Sequence, residues 1–326
     1  MKNFKKLIKY LKPYKKWTFL ASFLIIFEVI MDLLMPNIMA NIINIGIKNS
    51  DKNYIIFNII LMIGLTFLGV LGSITSTYFA AKSSSFASKD IREKVFEKIT
   101  KLSFLNLEKL KTGHLLTILT NDITLIGEVM MYLLRLIVRI PIILIGSVIM
   151  AIFISPKLSM ILILVVPITI IIVSILMKKS FPKFQKLQEQ IDDVNMVVRE
   201  NINANKVVKN FVSEDYEIEK FRKSNDSLRK ITINAVRTIN ITMPSVMLIV
   251  NLTIVVVLLI GGNSVINNKM AIGDVIAFIE YLTNILTSLL MASVIIVMLS
   301  HSEASALRVN QIFNSEEDII NKNKHK

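Results

Sequence analysis

Five ionisable side chains sit inside long apolar runs of this chain. Glu28 and Asp32 lie four residues apart in one run, and Glu280 lies in another. Four residues is about one helical turn, so Glu28 and Asp32 share a helix face. Arg135 and Arg139 repeat that spacing in a third run. A charge at the centre of a membrane helix costs about 2.5–3.5 kcal/mol, so such groups face protein or a water-filled cavity. Two roles remain open for the carboxylates. They could line a cavity that favours cationic or amphipathic cargo, or they could pair with Arg135 or Arg139 or sit close to the interface. For the two arginines the choice is between snorkelling to lipid phosphates and holding an anionic ligand or headgroup. The many Met and Phe side chains read as packing or, because Met is flexible, as part of a promiscuous pocket. No covalent chemistry is expected of any residue.

These residues must be held by apolar helices. The 326-residue chain is 53% hydrophobic, with a mean hydropathy of +0.60. That composition points to an integral membrane protein. Apolar runs fall at about 17–35, 54–80, 132–154, 158–177, 244–265 and 275–299. Each is long enough to cross a hydrocarbon core of about 30 Å as a helix. The first run is too long for a secretory signal and lacks a small-residue cleavage site, so it reads as a retained span. There is no Cys and only three widely spaced His, which excludes disulfides and Cys-based metal sites and leaves no His cluster for a metal.

The formal charge of +14 is explained by where the charges lie. With the N-terminus inside, 32 of the 38 Lys and Arg fall on the inner side and four on the outer side, with Arg135 and Arg139 in the third span. This bias places both termini in the cytoplasm and removes any need for nucleic acid as a partner. Residues 1–16 alone carry seven Lys. The outer loops are short, whereas the two inner ones run to about 50 and 65 residues. No Gly or Pro occurs between Gly72 and Gly113, or between Pro182 and Pro244. The spacing therefore predicts helices that project as a cytoplasmic stalk, with Ile91, Val95, Ile99 and Leu102 as an apolar stripe. Pro141 and Pro167 are expected to kink spans three and four, Pro244 to open span five, and Asp274 to be the N-cap of span six. Residues 303–326 read as a helix end and then a linker.

The polar stretch at 198–221, VRENINANKVVKNFVSEDYEIEKF, lies midway along the chain and reads as helix, short break, helix. Three stretches together carry a family resemblance. They are 91–128, with an arginine-led helix and a TG…TND pattern; 199–221; and EASALRVNQIF at 303–313. Residues 134–141 and AFIEYL at 277–282 also fit. In this order, with six spans, the chain resembles the transmembrane domain of ABC exporters of the multidrug and lipid type. The resemblance implies an all-α membrane domain over about 17–302 that moves amphipathic small molecules, drugs, lipids or peptides out of the cytoplasm by alternating access. It implies two coupling segments that dock on a nucleotide-binding ATPase domain. The residues that match are Leu105, Asn106, Leu107 and Gly113 in the first segment, and Asn205, Val208, Phe211 and Glu214 in the second. Val208 and Phe211 would supply apolar contacts, with Arg199 and Glu200 bracing the break. Asn203 and Asn205 stand where the family often has Gly, and a backbone break is expected there. None of the ten Gly opens a phosphate loop ending in Lys-Ser or Lys-Thr. ATP and Mg2+ are thus expected on a fused or separate ATPase domain, and a second transporter half is expected as partner in the plasma membrane. A gradient-driven transporter, a membrane scaffold or sensor with a cytoplasmic stalk, and an inactive gene remnant remain as alternatives. His114 is assigned no role.

Overall fold

The computed structural model describes residues 2–102 and 112–315. Six helical stretches are long and apolar enough to cross a membrane: Asn3–Ile47, Lys52–Thr100, Thr112–Ile154, Pro156–Asn210, Glu214–Ile266 and Ile272–Ala292. Among the described residues there is no strand. The described chain divides into two units, one of residues 1–159 and 257–326, the other of residues 160–256.

In the first unit, α1 (Lys2–Leu7) and a 3-10 stretch (Ile8–Tyr14) lead into α2 (Lys15–Asn41), which ends in a π-helical stretch (Ile42–Ile47). Next comes α3 (Lys52–Thr100), whose 49 residues extend about 74 Å, more than twice the bilayer core. Asp51 caps it by accepting a hydrogen bond from the Tyr54 amide at 3.0 Å. The short α4 (Thr112–Thr117), a π-helical stretch (Ile118–Asp122) and α5 (Ile123–Ile154) follow. Far along the chain, α9 (Ile272–Phe313) runs unbroken for 42 residues.

One apolar core joins one end of these helices, away from the apolar runs. Ile91 and Val95 of α3 are fully buried against Ile123 and Ile126 of α5 and Val309 and Ile312 of α9. Leu102 is buried as well, and Ile99 packs against the core, as the stripe at spacings of three and four requires. Phe4, Leu7 and Leu11 insert into the same core, so the lysine-rich start is docked rather than loose. The Glu303 carboxylate accepts the backbone amides of Asn3 at 2.9 Å and Phe4 at 3.0 Å. At the other end of the unit, the N-cap of α9 is Ala271, not Asp274. Asp274 sits three residues on, accepts the Ala271 amide at 3.4 Å and takes a second bond from Asn44 at 2.8 Å. A carboxylate at the third helical position reaches back to the cap, which explains the correction. Gly273 lies so near α2 that a Cβ there would stand 2.5 Å from the Ala40 carbonyl oxygen.

The second unit is built from most of α6 (Pro156–Asn210), α7 (Glu214–Asn240) and the start of α8 (Thr242–Ile266). Pro141 lies within α5, and Pro167 and Pro182 within α6, without ending either helix. Polar rungs join α6 to α7 as an antiparallel hairpin. Lys183 donates to Asn234 at 2.9 Å and Thr238 at 2.7 Å, Ser227 donates to Gln190 at 2.9 Å, and Lys220 pairs with Glu200 at 2.8 Å.

Candidate functional site

Within the first unit, one face from each of four helices surrounds a cleft of about 640 Å³. Asp32, Met35, Pro36 and Met39 of α2 follow the i, i+3, i+4, i+7 rule for one face. Leu136, Arg139, Ile140 and Ile143 of α5 do the same, as do Asn284, Thr287, Ser288 and Met291 of α9, with Glu280 one turn before them. Met62 comes from α3. The cleft thus brings together three of the five charges singled out from sequence: Asp32, Arg139 and Glu280.

The other two, Glu28 and Arg135, do not line the cleft. Glu28 is buried and accepts from Arg139 Nη1, and Asp32 accepts from Arg139 Nη2 at 3.0 Å. Both carboxylates thus pair with Arg139, one of the two outcomes left open above. Arg139 does not snorkel; its fork is filled by the two acids. The second oxygen of Glu28 is buried without a partner. Arg135 reaches Ser73 Oγ at 3.3 Å and leaves its Nε buried without a partner. Tyr281, fully buried, donates to the Leu33 carbonyl at 2.7 Å and pins α9 to α2 beside the cleft.

The break in the polar stretch falls at Phe211–Ser213, not at Asn203 or Asn205, which lie inside α6. Ser213 N–H donates to the Val208 carbonyl at 3.0 Å and Val212 N–H to that of Lys209 at 3.4 Å. These two bonds form a Schellman C-cap, with Val212 as its left-handed residue at φ 51°. Gly or Asn normally fills that position; a β-branched residue there is strained. Phe211 and Val212 project from the turn, 76% and 82% exposed. Val212 was not marked out by sequence, because its role follows from a backbone angle. Asn205, Val208 and Glu214 line a cleft of about 360 Å³ between α6 and α7. Val208 therefore faces inward, while Phe211 and Val212 are the apolar side chains turned outward. Glu200 braces the hairpin through Lys220, whereas Arg199 is exposed.

Of the first segment, Leu105, Asn106 and Leu107 lie outside the described residues, and Gly113 lies in α4. Sequence reasoning missed the contact next to it. Asp122, buried at the end of the π-helical stretch, receives Arg308 Nε at 2.7 Å, Arg308 Nη2, and Ser305 Oγ at 2.8 Å. Burial alone would raise the Asp122 carboxyl. The hydrogen bonds from Arg308 and Ser305, with the charges of Arg308 and His114, outweigh burial and hold it below the usual carboxylate range. Arg92 donates to the Leu119 carbonyl at 2.9 Å and braces the π-helical stretch from α3. Such π turns are frequent at functional sites.

One helix joins the two regions. Glu280 and Arg308 both belong to α9, 28 residues or about 42 Å apart along an uninterrupted helix.

The family described as ABC transporter transmembrane region matches residues 18–299. An uncharacterized ABC transporter ATP-binding protein of Bacillus subtilis (strain 168), YfiB, is 30% identical over 313 residues, which is 96% of this chain and 55% of that protein. A second uncharacterized one from the same organism, YknU, is 26% identical over 325 residues, 98% of this chain and 54% of the relative. An ATP-dependent lipid A-core flippase of Thiobacillus denitrificans is 24% identical over 233 residues, 72% and 40% of the two chains. The chain spans about half the length of the curated relatives it matches.

Proposed function

This chain belongs to the ABC transporter transmembrane family, and from that premise we propose that it is the membrane-spanning half of an ATP-driven exporter. The observation that carries this reading is α9, one helix that bears both the cleft wall at Glu280 and the stalk contact at Arg308. A displacement of the cytoplasmic loops at Asp122 is thereby passed along a rigid rod to the cleft. The cargo is an amphipathic molecule held between α2, α5 and α9. ATP and Mg2+ bind on a nucleotide-binding domain, fused or separate. That domain docks on Leu105, Asn106, Leu107 and Gly113 of the first loop, and on Phe211 and Val212 at the tip of the second, with Asn205, Val208 and Glu214 behind them. A second transporter half completes the pathway. The free energy of coupling comes from the two states binding ATP and cargo with different affinity.

The test is uptake of an amphipathic dye into inverted vesicles that hold the chain together with its ATPase domain. Uptake should require ATP and should persist when ionophores collapse the ion gradients. Phe211→Ala should lower cargo-stimulated ATP hydrolysis about tenfold by removing an apolar anchor. If ionophores stop the uptake while ATP is present, the transporter is gradient-driven, the role that the intramembrane carboxylates would otherwise support. If Phe211→Ala leaves stimulated hydrolysis intact, the docking assignment is wrong.

A further inference from the structure

We infer that the membrane cleft selects its cargo by charge and takes an organic cation on an apolar body, with Glu280 meeting the cationic centre. This inference rests on the reading of the cleft as a cargo site. Three of the five ionisable side chains line it, two carboxylates and the Arg139 guanidinium; of the two that do not, Glu28 pairs with Arg139 and Arg135 donates to Ser73 Oγ. Both terminal nitrogens of Arg139 are engaged, one by Glu28 and one by Asp32, so no free fork is left for an anion. Glu280 is different. It is exposed on the cleft face of α9 and makes no hydrogen bond or ion pair among the described residues.

Of the three neutral polar groups in the wall, the Asn284 amide can donate or accept, and the two hydroxyls agree in sign with Glu280. Thr287 donates its hydroxyl proton to the Thr283 carbonyl at 2.9 Å, and Ser288 donates to the Asn284 carbonyl at 2.6 Å. With their protons directed into the helix, these hydroxyls offer lone pairs to the cleft. Glu280, Thr287 and Ser288 therefore present acceptors on one helix face, as a cation requires. The rest of the wall is aliphatic or thioether, including Met35, Met39, Met62 and Met291, and contains no aromatic ring. Polarizable, flexible methionines suit an apolar body of variable shape. Without an aromatic cage, recognition of the charge falls to the carboxylate. The volume of about 640 Å³ lies in the range of pockets for small organic molecules.

The experiment compares tetraphenylphosphonium with tetraphenylborate, alike in shape and opposite in charge. The full chain is held in lipid nanodiscs without nucleotide, and binding to protein-free discs is subtracted. Tetraphenylphosphonium should bind saturably and about tenfold or more tighter than the borate, the scale of one charge-assisted contact. Glu280→Gln should lower its affinity about tenfold without lowering that of the borate. Glu280→Asp, which keeps the charge, should restore most of it. Asn284→Trp, in the middle of the α9 wall, should weaken both ions by filling the cleft. Equal affinity for the two ions, or a Glu280→Gln variant that folds with an unchanged melting temperature and binds the phosphonium normally, overturns the charge inference. If Asn284→Trp still abolishes binding in that case, the cleft stands as the cargo site and only its charge preference falls. If saturable binding is missing, or survives Asn284→Trp, the cleft assignment falls too. ATP-dependent transport is read separately and does not enter these outcomes.

Discussion

Asp122 shows how much of the stalk depends on one buried carboxylate. It accepts from two nitrogens of Arg308 and from Ser305, so both its oxygens are satisfied although the side chain is only 4% exposed. Asp122→Asn would set an amide NH2 against the guanidinium donors. Breaking a buried pair on one side costs about 3–5 kcal/mol, and the partial exposure of Arg308 brings the expected loss to about 2 kcal/mol. Thermal unfolding of the purified chain should show it as a lower midpoint. The pair also sets an acid dependence. Because the folded carboxyl titrates below its ordinary value, its contribution is complete above the unfolded value and is lost as pH falls through the folded one. Acidification below about pH 4 should therefore destabilise the native chain more than it destabilises the Asp122→Asn variant, and parallel acid titrations of the two would refute this. Both partners lie in stretches that sequence marks out, the TND pattern and EASALRVNQIF. Their contact was not legible, because 186 residues separate them and no local rule spans that distance. The carboxylates in span one were legible as needing partners, since their cost at membrane depth follows from residue type alone. The choice of Arg139 over Arg135 was not, because it depends on the rotation of α5 about its axis.

At the scale of elements, the turn between α6 and α7 is the place where local preference and structure disagree. A helix can end without Gly if its last carbonyls find partners, and the Schellman bonds at Val208 and Lys209 provide them. Val212 must then adopt φ 51°, a conformation costing an ordinary L-residue about 1–2 kcal/mol. Ser50 and Asn268 hold the equivalent angle in the turns before α3 and α9, with φ 54° at each. Asn tolerates that region far better than a β-branched side chain. Val212→Asn should therefore stabilise the turn by about 1 kcal/mol. The amide of Ser213 should exchange about fivefold more slowly, and unchanged exchange would mean that the strain is relieved elsewhere. The expected break at Asn203 or Asn205 failed for an identifiable reason. Asn is compatible with the helix interior at a modest cost, and the polar rungs from Gln190 to Glu200 keep that part of α6 fixed against α7. The stalk itself was readable, because long stretches without Gly or Pro and a stripe at spacings of three and four leave helix as the consistent outcome. The shift of the α9 cap from Asp274 to Ala271 has a local cause, since a carboxylate at the third helical position reaches back to the cap amide.

At the scale of the whole molecule, the six spans follow from run length, and their direction follows from charge. The Lys and Arg on opposite sides number 32 and four. A biased count of this kind orients a multi-span protein through its short loops and the segments flanking its spans. On that rule the Phe211–Val212 tip is expected in the cytoplasm and the turn at Lys269 outside. The chain contains no Cys, so a single introduced thiol reports its own position without background. Lys269→Cys should react with a membrane-impermeant maleimide on intact cells. Phe211→Cys should react only in inverted vesicles, where its exposed position leaves it open to reagent. The opposite pattern would put the stalk outside the cell, where no ATPase domain with access to cytoplasmic ATP could grip it. It would therefore overturn the proposed direction of transport along with the topology. Labelling of both positions from one side would contradict the even number of spans between the tip and a cytoplasmic terminus, or the odd number between the tip and the outer turn. The expected pattern would fix the inner end of α9, with its Arg308–Asp122 contact, on the ATP side and the Glu280 face toward the outer half of the membrane. That is the polarity a rod must have to turn an event in the cytoplasm into a change at the cleft.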